Sequence, residues 1–261
     1  MAKFSKLSAM ILVALAAGST GANAAVYSIS GATVTGLNTQ YAENTPGVLT
    51  VDASASLASI LAGSAAAPGG NVELNKMAGA PATTLTGTLN GNAVTLSSLT
   101  LADWTANSNA LADAYISSAW TAAYGTSIGA LLPTARTQFF STNAYQRVSD
   151  PNVSYVLLDN SDLKVGLAGF LDASSFLSTL VAGYPGAPAV PKGAQASEVV
   201  KVTYNGVTTY MYGFNATASN VASADGSFSG NYEVSRNVPE PGVLSLLGLG
   251  LAGAYLRRRN A

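Results

Sequence analysis

The sequence predicts an α+β fold that combines an antiparallel sheet, built from hairpins, with two central helices. Two hairpin signals favour the sheet, because Asn90-Gly91 and Asn205-Gly206 each stand between two alternating apolar and polar runs. A helical signal lies between them, since apolar residues recur in pairs every four positions across residues 101–124. The body of the chain, residues 25–237, is therefore expected to mix strands and helices.

The hairpin predicted over residues 83–101 has a register that follows from its turn. A two-residue Asn-Gly loop favours a type I′ turn, which sets the flanking residues directly opposite each other. Counting outward from the turn predicts three opposed pairs: Leu85 with Leu96, Thr86 with Thr95, and Gly87 with Val94.

The second hairpin is predicted over residues 199–213. Its opposed pairs are Tyr204/Val207, Val202/Thr209 and Val200/Met211 on one face, and Thr203/Thr208 and Lys201/Tyr210 on the other. One face is apolar and one is polar, as in a sheet covered on one side. We expect Val202 and Tyr204 to point into the core and Gly206 to take a positive φ.

Two helices are predicted in the middle of the chain. The first spans residues 101–124 and ends at Gly125, a C-terminal cap. Its apolar face consists of Leu111, Ala112, Tyr115, Ile116, Ala119, Trp120, Ala123 and Tyr124, joined by Trp104. The second helix is predicted over residues 131–148, with Pro133 in its first turn.

Shorter elements are predicted where small apolar runs meet turn residues. Strands are expected at residues 26–37, 47–52, 153–158, 163–168 and 227–234, and a short helix at residues 53–67. Residues 182–196 hold three prolines and three glycines and predict a loop.

Composition excludes several kinds of chemistry. The 261 residues include no cysteine and no histidine, which excludes disulfides, thiol nucleophiles, Cys/His zinc sites and the Ser-His-Asp triad. Residues 25–237 contain seven basic and 12 acidic residues, a net charge of −5. Because phosphate binding needs a basic patch, nucleic acid is not an expected partner.

Residues 1–24 have the pattern of a secretory signal peptide. Lys3 and Lys6 precede an apolar run at residues 7–17, and Ala22-Asn23-Ala24 forms an A-x-A cleavage site. Signal peptidase is therefore an expected partner, and the exported chain is expected to begin at Ala25. The alternative is a buried N-terminal helix, which would not require charge, apolar run and small residues in this order.

Residues 238–261 form a second tripartite pattern. Pro239-Glu240-Pro241 is followed by an uncharged run at residues 242–256 and then by Arg257-Arg258-Arg259. A helix of that length covers about 22 Å, short of the ~30 Å hydrocarbon core. Bilayer thinning, snorkelling arginines or partial inclusion of the proline segment must supply the remainder. We expect a transmembrane helix in the inner membrane, with the three arginines as a cytoplasmic stop.

This order of motif, helix and arginines resembles the PEP-CTERM sorting signal of Gram-negative bacteria, a module also called the C-terminal domain of ice-binding proteins. The resemblance implies that an exosortase recognises Pro239, Glu240 and Pro241, cleaves nearby and passes the body to the cell surface or the medium. It also implies a link with exopolysaccharide and biofilm production. The alternative is a plain C-terminal membrane anchor.

The body also resembles an uncharacterised group of PEP-CTERM proteins. The resemblance lies at Asp103-Trp104 and at residues 146–156 and 166–173. It implies no activity. Gly166 and Gly169 in the last segment are interpreted as positions where two backbones approach closely.

The sequence contains candidate residues for three kinds of site. A glycosidase needs two carboxylates in one cleft, and the candidates are Asp103, Asp113, Asp150, Asp159, Asp162 and Asp172. Asp159, Asn160 and Asp162 cluster in one turn and are candidate calcium ligands. Ice binding is the third kind of site, and the threonines that suggest it, Thr84, Thr86 and Thr88, form a shorter array than a flat ice-binding surface would need. We expect no cofactor.

The sequence thus predicts an exported, non-enzymatic protein of the surface or extracellular matrix, with exopolysaccharide as a partner. It would be anchored transiently in the inner membrane and then reside at the cell surface or outside the cell. The alternative is a polysaccharide-binding module or a carbohydrate-active enzyme. A cleft with facing carboxylates would favour the enzyme, and an exposed aromatic platform would favour the binding module.

Overall fold

A computed structural model describes residues 25–75, 81–181 and 188–238. The predicted signal peptide, the Pro-Glu-Pro motif, the transmembrane helix and the terminal arginines lie outside these residues. The described strands are β1 Val26–Ser28, β2 Ser30–Thr35, β3 Asn38–Thr45, β4 Val48–Val51, β5 Gly70–Leu74, β6 Thr84–Leu89, β7 Asn92–Ser97, β8 Asn152–Asp159, β9 Asp162–Gly169, β10 Val200–Tyr204, β11 Val207–Met211, β12 Thr217–Ala218, β13 Ala222–Ser223 and β14 Gly230–Asn237. The described helices are α1 Leu57–Ile60, α2 Leu101–Tyr124, α3 Leu132–Ser141 and α4 Ser174–Val181.

The α+β class is confirmed, but the strands of the described residues form two sheets rather than one. The larger sheet runs β12-β14-β9-β8-β5-β3-β4-β13, with β1 also paired to β8. The smaller runs β11-β10-β7-β6-β2. All described pairs are antiparallel except β13 with β4. The sequence could not show this division, because it depends on which distant strands pair.

The two sheets share one hydrophobic core. Val72, Val156 and Val165 of the larger sheet and Leu85 and Val202 of the smaller one belong to the same buried cluster, and each is fully shielded from solvent. Side chains of opposite sheets therefore pack face to face, so burial of this layer is the main stabilising term for the body.

The chain moves from one sheet to the other near its start. The single strand predicted at residues 26–37 is in fact two: β1 pairs with β8 and β2 pairs with β6. Buried Ile29 stands between them, and its N–H donates to the Val156 carbonyl at 3.0 Å. The prediction was wrong here because a change of sheet leaves no break in an alternating sequence.

Both predicted hairpins are confirmed, register included. β6 and β7 set Leu85 opposite Leu96, Thr86 opposite Thr95 and Gly87 opposite Val94. β10 and β11 form all five predicted pairs. Asn205 and Gly206 have φ of 50° and 74°, as the type I′ turn requires.

The two central helices are present with altered limits. α2 spans the predicted residues and ends at Gly125 in the left-handed conformation, but residues 106–109 interrupt it with non-helical backbone. The second predicted helix is shorter: α3 ends at Ser141, and residues 144–148 form a separate 3-10 turn. No helix among the described residues is long and apolar enough to cross a membrane.

An aromatic cluster attaches these helices to the sheets. Trp104 of α2 packs edge-to-face against Tyr115 and Phe139, at ring-centroid distances of 5.8 and 5.1 Å. Its indole N–H donates to the Ser149 hydroxyl at 2.7 Å. Tyr115 donates to the Ser197 carbonyl at 2.8 Å. Each buried polar atom here has a partner, so the cluster fixes the helices at one position.

Four described strands and one described helix lack a predicted counterpart, namely β3, β5, β12, β13 and α4. The helix predicted at residues 53–67 is confined to Leu57–Ile60. β3 is polar, with the sequence NTQYAENT, and β5 begins at a glycine, a residue type that is depleted in strands. Both strands form through pairing with neighbours rather than through their own composition.

Candidate functional site

A cavity of about 320 Å³ opens between the larger sheet and the segment that precedes β10. Its walls carry four carboxyl side chains, from Glu73, Asp150, Glu198 and Asp225. They also carry Arg147, Asn152 and four aromatic rings, from Tyr41, Phe170, Phe176 and Phe228. The cavity therefore combines many hydrogen-bond acceptors with apolar ring surface.

Strand pairing brings the carboxyl groups of three distant segments together. Glu73 of β5 lies opposite Asn152 at the start of β8. Asp150 precedes β8 in the turn Asp150-Pro151-Asn152, whose Pro151 carbonyl accepts from the Leu74 N–H at 3.0 Å. Glu198 precedes β10, and the next residue donates its N–H to the Val148 carbonyl at 2.9 Å.

Glu198 is held by Asn152. The Asn152 backbone N–H donates to Oε2 at 2.8 Å, and its Nδ2 donates to Oε1 and Oε2 at 3.2 and 3.1 Å. Desolvation, followed by the nearby negative charge of Asp150, raises the pKa of Glu198 well above its ordinary value despite these bonds. Glu198 is accordingly a carboxyl group that favours its neutral form.

The Asn152 side chain has one polar atom left over. Only 5% of Asn152 is exposed, and it lines the cavity. Its Oδ1 has no hydrogen-bond partner among the described residues. A buried acceptor without a partner is uncommon and unfavourable.

Asp225 lies at the solvent side of the cavity and is ionised. The hydroxyl of Ser223, then the N–H and the hydroxyl of Ser227, donate to its Oδ1 and lower its pKa to about 2. The carboxyl groups of the cavity thus differ, with Glu198 biased towards the acid and Asp225 towards the anion.

The aromatic rings form an apolar side of the cavity. The Arg147 guanidinium lies 4.8 Å from the centroid of the Phe176 ring. Phe170 is 46% exposed, a large value for a phenylalanine. Tyr41 packs against Phe228 at 4.8 Å, and burial followed by the charge of Glu73 raises its pKa.

Two of the segments singled out in the sequence, residues 146–156 and 166–173, meet at this cavity. Residues 146–156 supply four of its lining residues and residues 166–173 supply four more. At Gly166 the neighbouring strands β8 and β9 approach closely, because a Cβ there would collide with the Tyr155 ring and the Ser154 hydroxyl.

A second cavity is small and apolar. It measures about 60 Å³ and lies among α2, α3 and α4, where Trp120, Phe139 and Leu177 line it. Several residues of the predicted apolar face of α2 border it, so that face packs against helices rather than only against a sheet.

Among the predicted carboxylate candidates, the structure brings Asp150 into the cavity and places the others elsewhere. Asp103 caps α2, with its Oδ2 accepting from the Thr100 N–H at 2.9 Å. Asp113 is paired with Arg136 at 2.7 Å. Asp172 accepts from the Ser174 N–H at the start of α4.

The predicted calcium ligands do share one turn, between β8 and β9. Asp159 accepts from the Lys164 ammonium at 2.8 Å and from the Asn160 amide, while Asp162 accepts from Asn237. No cluster of three or more acidic residues suited to a metal ion occurs in the described ranges. Calcium binding at this turn stays a prediction.

Thr84, Thr86 and Thr88 lie on β6, and the middle one belongs to a longer row. Across the smaller sheet, Thr33, Thr86, Thr95, Thr203 and Thr208 stand in direct register, one on each strand. Hydroxyls within the row bond to each other at 2.9 Å (Thr33 with Thr86) and 2.8 Å (Thr203 with Thr208). The row is not apparent in the sequence, because its members come from five different strands.

Comparison with known proteins identifies the C-terminal pattern. Residues 237–259 match the model of the PEP-CTERM protein-sorting motif. No curated protein and no solved structure matches the chain. The chain therefore carries a PEP-CTERM sorting motif, and this motif indicates a protein that an exosortase processes and that is directed to the cell surface or the extracellular space.

Proposed function

We propose that this chain is an exported, non-enzymatic protein of the cell surface or the extracellular matrix, associated with exopolysaccharide and biofilm. The observation that carries the proposal is the sorting motif at residues 237–259. The signal-peptide pattern at residues 1–24 supports it from the opposite end of the chain. The weakly charged, acidic body supports an extracellular role rather than nucleic-acid binding.

In this proposal each end of the chain has one task. Signal peptidase cleaves between Ala24 and Ala25, and the helix at residues 242–256 then holds the protein in the inner membrane. Arg257, Arg258 and Arg259 keep the end of that helix cytoplasmic, because moving a charged side chain into the bilayer costs a few kcal/mol. Exosortase cleavage near Pro239-Glu240-Pro241 then releases or transfers the body.

The folded body ends directly before the Pro-Glu-Pro tripeptide of the sorting motif. β14 closes at Asn237, and Val238 is buried, with its N–H donating to the Ser161 carbonyl at 2.7 Å. Pro239 is the next residue. An extended Pro-Glu-Pro segment exposes the backbone that a protease cleft binds, which supports its role as the recognised segment.

The sorting proposal is tested by the mass of the mature protein in cells with and without the exosortase. With the enzyme, the chain should begin at Ala25 and lack the C-terminal helix. Without it, the chain should still end at Ala261. Replacement of Pro239, Glu240 and Pro241 should leave the protein membrane-bound and unprocessed, whereas Asp162→Asn should be processed normally.

Two results would contradict the proposal. A chain that ends at Ala261 in both strains would show that residues 238–261 are a plain membrane anchor. A mature protein that retains Met1 would show that residues 1–24 are not a cleaved signal peptide. Neutral replacement of the three arginines should weaken retention in the membrane without changing recognition of the motif.

The non-enzymatic part is a separate proposal with its own test. The hydrogen bonds that hold Glu198 and Asp225 give both carboxyls structural partners, which supports it. Neutral and amino-sugar oligomers incubated with the protein should keep their length by mass spectrometry. Shortened products that disappear in Glu198→Gln would favour the carbohydrate-active enzyme instead.

A further inference from the structure

We propose that the carboxyl-lined cavity binds a saccharide unit that is rich in hydroxyl groups and carries no carboxylate. The site deepens the proposed function, because it gives the body a means of contacting extracellular polysaccharide. The choice of a saccharide rests on that function. The cavity, its acceptors and its exposed ring are properties of the body alone.

The polar wall of the cavity calls for a ligand that donates hydrogen bonds. The carboxylate of Asp225 and the amide oxygen of Asn152 are acceptors, and the neutral carboxyl group of Glu198 offers both an acceptor and an O–H donor. Arg147 is the one charged donor among the lining residues that the structure describes. Sugar hydroxyls and ammonium groups donate to such acceptors. A volume of about 320 Å³ lies at the lower end of the range for small-molecule pockets, roughly 300–1,000 Å³.

Asn152 supplies an observation independent of the carboxyl groups. Its Nδ2 and N–H are committed to Glu198, which fixes the orientation of the amide. Its Oδ1 therefore stays an acceptor, is buried, and has no partner among the described residues. Because Oδ1 is itself shielded from solvent, a ligand hydroxyl would reach it through a small shift of the cavity wall, and binding would then relieve an unfavourable feature of the unliganded site.

The aromatic wall fits the other property of a sugar ring, its apolar C–H face. Phe170 lines the cavity and leaves 46% of its surface exposed. Arg147 stacked over Phe176 continues this surface. An exposed aromatic ring beside a polar pocket is an arrangement that binds ligands with both apolar and polar sides.

The same features disfavour two other occupants. In the described ranges no acidic cluster of the cavity has the arrangement of a metal site. The negative charge of an acidic sugar would be repelled by the ionised carboxylate of Asp225.

The test is calorimetric titration of the full-length protein in detergent with three tetrasaccharides. Cellotetraose is neutral, the glucosamine tetramer carries ammonium groups, and tetragalacturonate carries carboxylates. We expect the neutral or the amino oligomer to bind, and the acidic one to bind at least about tenfold more weakly. Absence of binding by the first two, or a preference for tetragalacturonate, overturns the proposal.

Variants at the mouth of the cavity locate the binding. Phe170→Ala and Asp225→Asn remove exposed groups, so the fold should persist, and each should weaken binding by about tenfold. The matched controls are Tyr27→Ala, an aromatic residue 39% exposed on β1, and Asp162→Asn, in the β8–β9 turn. Equal losses in cavity and control variants would place binding elsewhere and overturn the proposal.

Measuring exosortase-dependent cleavage in the same variants distinguishes this proposal from the sorting proposal. Phe170→Ala and Asp225→Asn should leave exosortase-dependent cleavage unchanged. A protein that is sorted but binds none of the three oligomers contradicts the cavity proposal alone, and a protein that binds sugar but is never processed contradicts the sorting proposal alone.

Discussion

At the scale of single residues, Glu198 shows how the surroundings of a carboxyl group set its charge. Burial and the neighbouring Asp150 raise its pKa, while the hydrogen bonds from Asn152 oppose the shift. Glu73 contributes in the same direction as Asp150. Such a group destabilises the folded protein once the pH is high enough to ionise it.

Replacement of this residue by its neutral isostere gives a prediction with a definite sign. The pKa of Glu198 in the folded protein lies above its unfolded value of about 4.3. Its contribution is therefore complete below about pH 4 and is lost as the pH rises through the folded pKa. Glu198→Gln should melt at the same or a higher temperature than wild type at pH 8, with the difference shrinking towards pH 4.

Thermal unfolding across this pH range measures the effect. Glu43→Gln, on the exposed part of β3, is the control and should change little at any pH. A wild-type protein more stable than Glu198→Gln at pH 8 would mean that ionised Glu198 has a favourable partner.

Asp103 is the opposite case, a carboxylate whose negative charge is stabilised by its partners in the folded protein. Burial alone would raise its pKa, but bonds from Lys201, Thr100 and Tyr210 outweigh it and lower the pKa. The Lys201 ammonium lies 2.8 Å and the Tyr210 hydroxyl 3.0 Å from Oδ1. One side chain thus caps α2 and ties it to the hairpin of β10 and β11.

Asp103→Asn should destabilise the body by about 1–2 kcal/mol at pH 7. Because the folded pKa is lowered, the wild-type advantage is complete above the ordinary value of about 3.9 and fades as the pH falls through the folded pKa. Denaturant unfolding at pH 7 and pH 3 measures both values. An Asp162→Asn control should show no comparable loss, and a pH-independent loss at Asp103 would argue against the charge.

These residues differ in how far the sequence anticipates them. The cap at Asp103 depends only on neighbours within one turn of helix, so its signal lies within a short stretch of sequence. Asp150 was considered, but Glu73 and Glu198 were not, since tertiary pairing alone brings them to Asp150. An acidic residue directly before a strongly apolar strand, as Glu198 is before Val199, was the available signal.

At the scale of elements, the hairpin of β10 and β11 gives the firmest test of packing. Val202 is fully buried and faces Leu96 of β7 as well as Thr209. Val202→Ala should cost about 2–4 kcal/mol, because it leaves a cavity in the layer between the sheets. Thr203→Ala, on the opposite face of the same strand, should cost less than about 1 kcal/mol.

Chemical denaturation of the two variants separates these effects. Equal losses at Val202 and Thr203 would contradict the assignment of an inner and an outer face. The hydroxyl pair Thr203–Thr208 on the outer face adds only a cross-strand contact, worth roughly 0.2–1 kcal/mol.

Local signals explain which elements were predictable. Each hairpin is specified by an Asn-Gly turn and alternation within about a dozen residues, so both registers were predicted. The polar β3 and the glycine-initiated β5 lack such signals and are strands because each pairs with a neighbour over five residues. The break in α2 also has no breaker residue, since Asn107, Ser108 and Asn109 take positive φ without a glycine or proline.

At the scale of the whole molecule, the division into two sheets depends on contacts between distant segments. β5 pairs with β8, and β9 pairs with β14 over eight residues. The threonine row and the carboxyl cavity are both products of this arrangement. The sequence predicted the class of the fold, but the strand order, and with it the sites, needed the structure.

The last strand gives a prediction for the body as a unit. β14 contributes Tyr232, fully buried, and Val234, which is 6% exposed. A chain that ends at Ser229 should fail to fold, whereas one that ends at Val238 should melt at the same temperature as the full chain. Far-ultraviolet circular dichroism during heating distinguishes the two. Cooperative melting of the shorter chain would show that β14 is dispensable.

The position of β14 also determines when the larger sheet can be completed during export. A chain that is threaded through the membrane from its N-terminus delivers residues 230–237 last, yet this strand lies inside the larger sheet, between β9 and β12. Until it arrives, one side of β9 has no neighbour. In the proposed export route, the Pro-Glu-Pro tripeptide follows this strand directly, since Val238 is already part of the folded body. On that route, completion of the larger sheet and presentation of the chain to the exosortase would be nearly simultaneous.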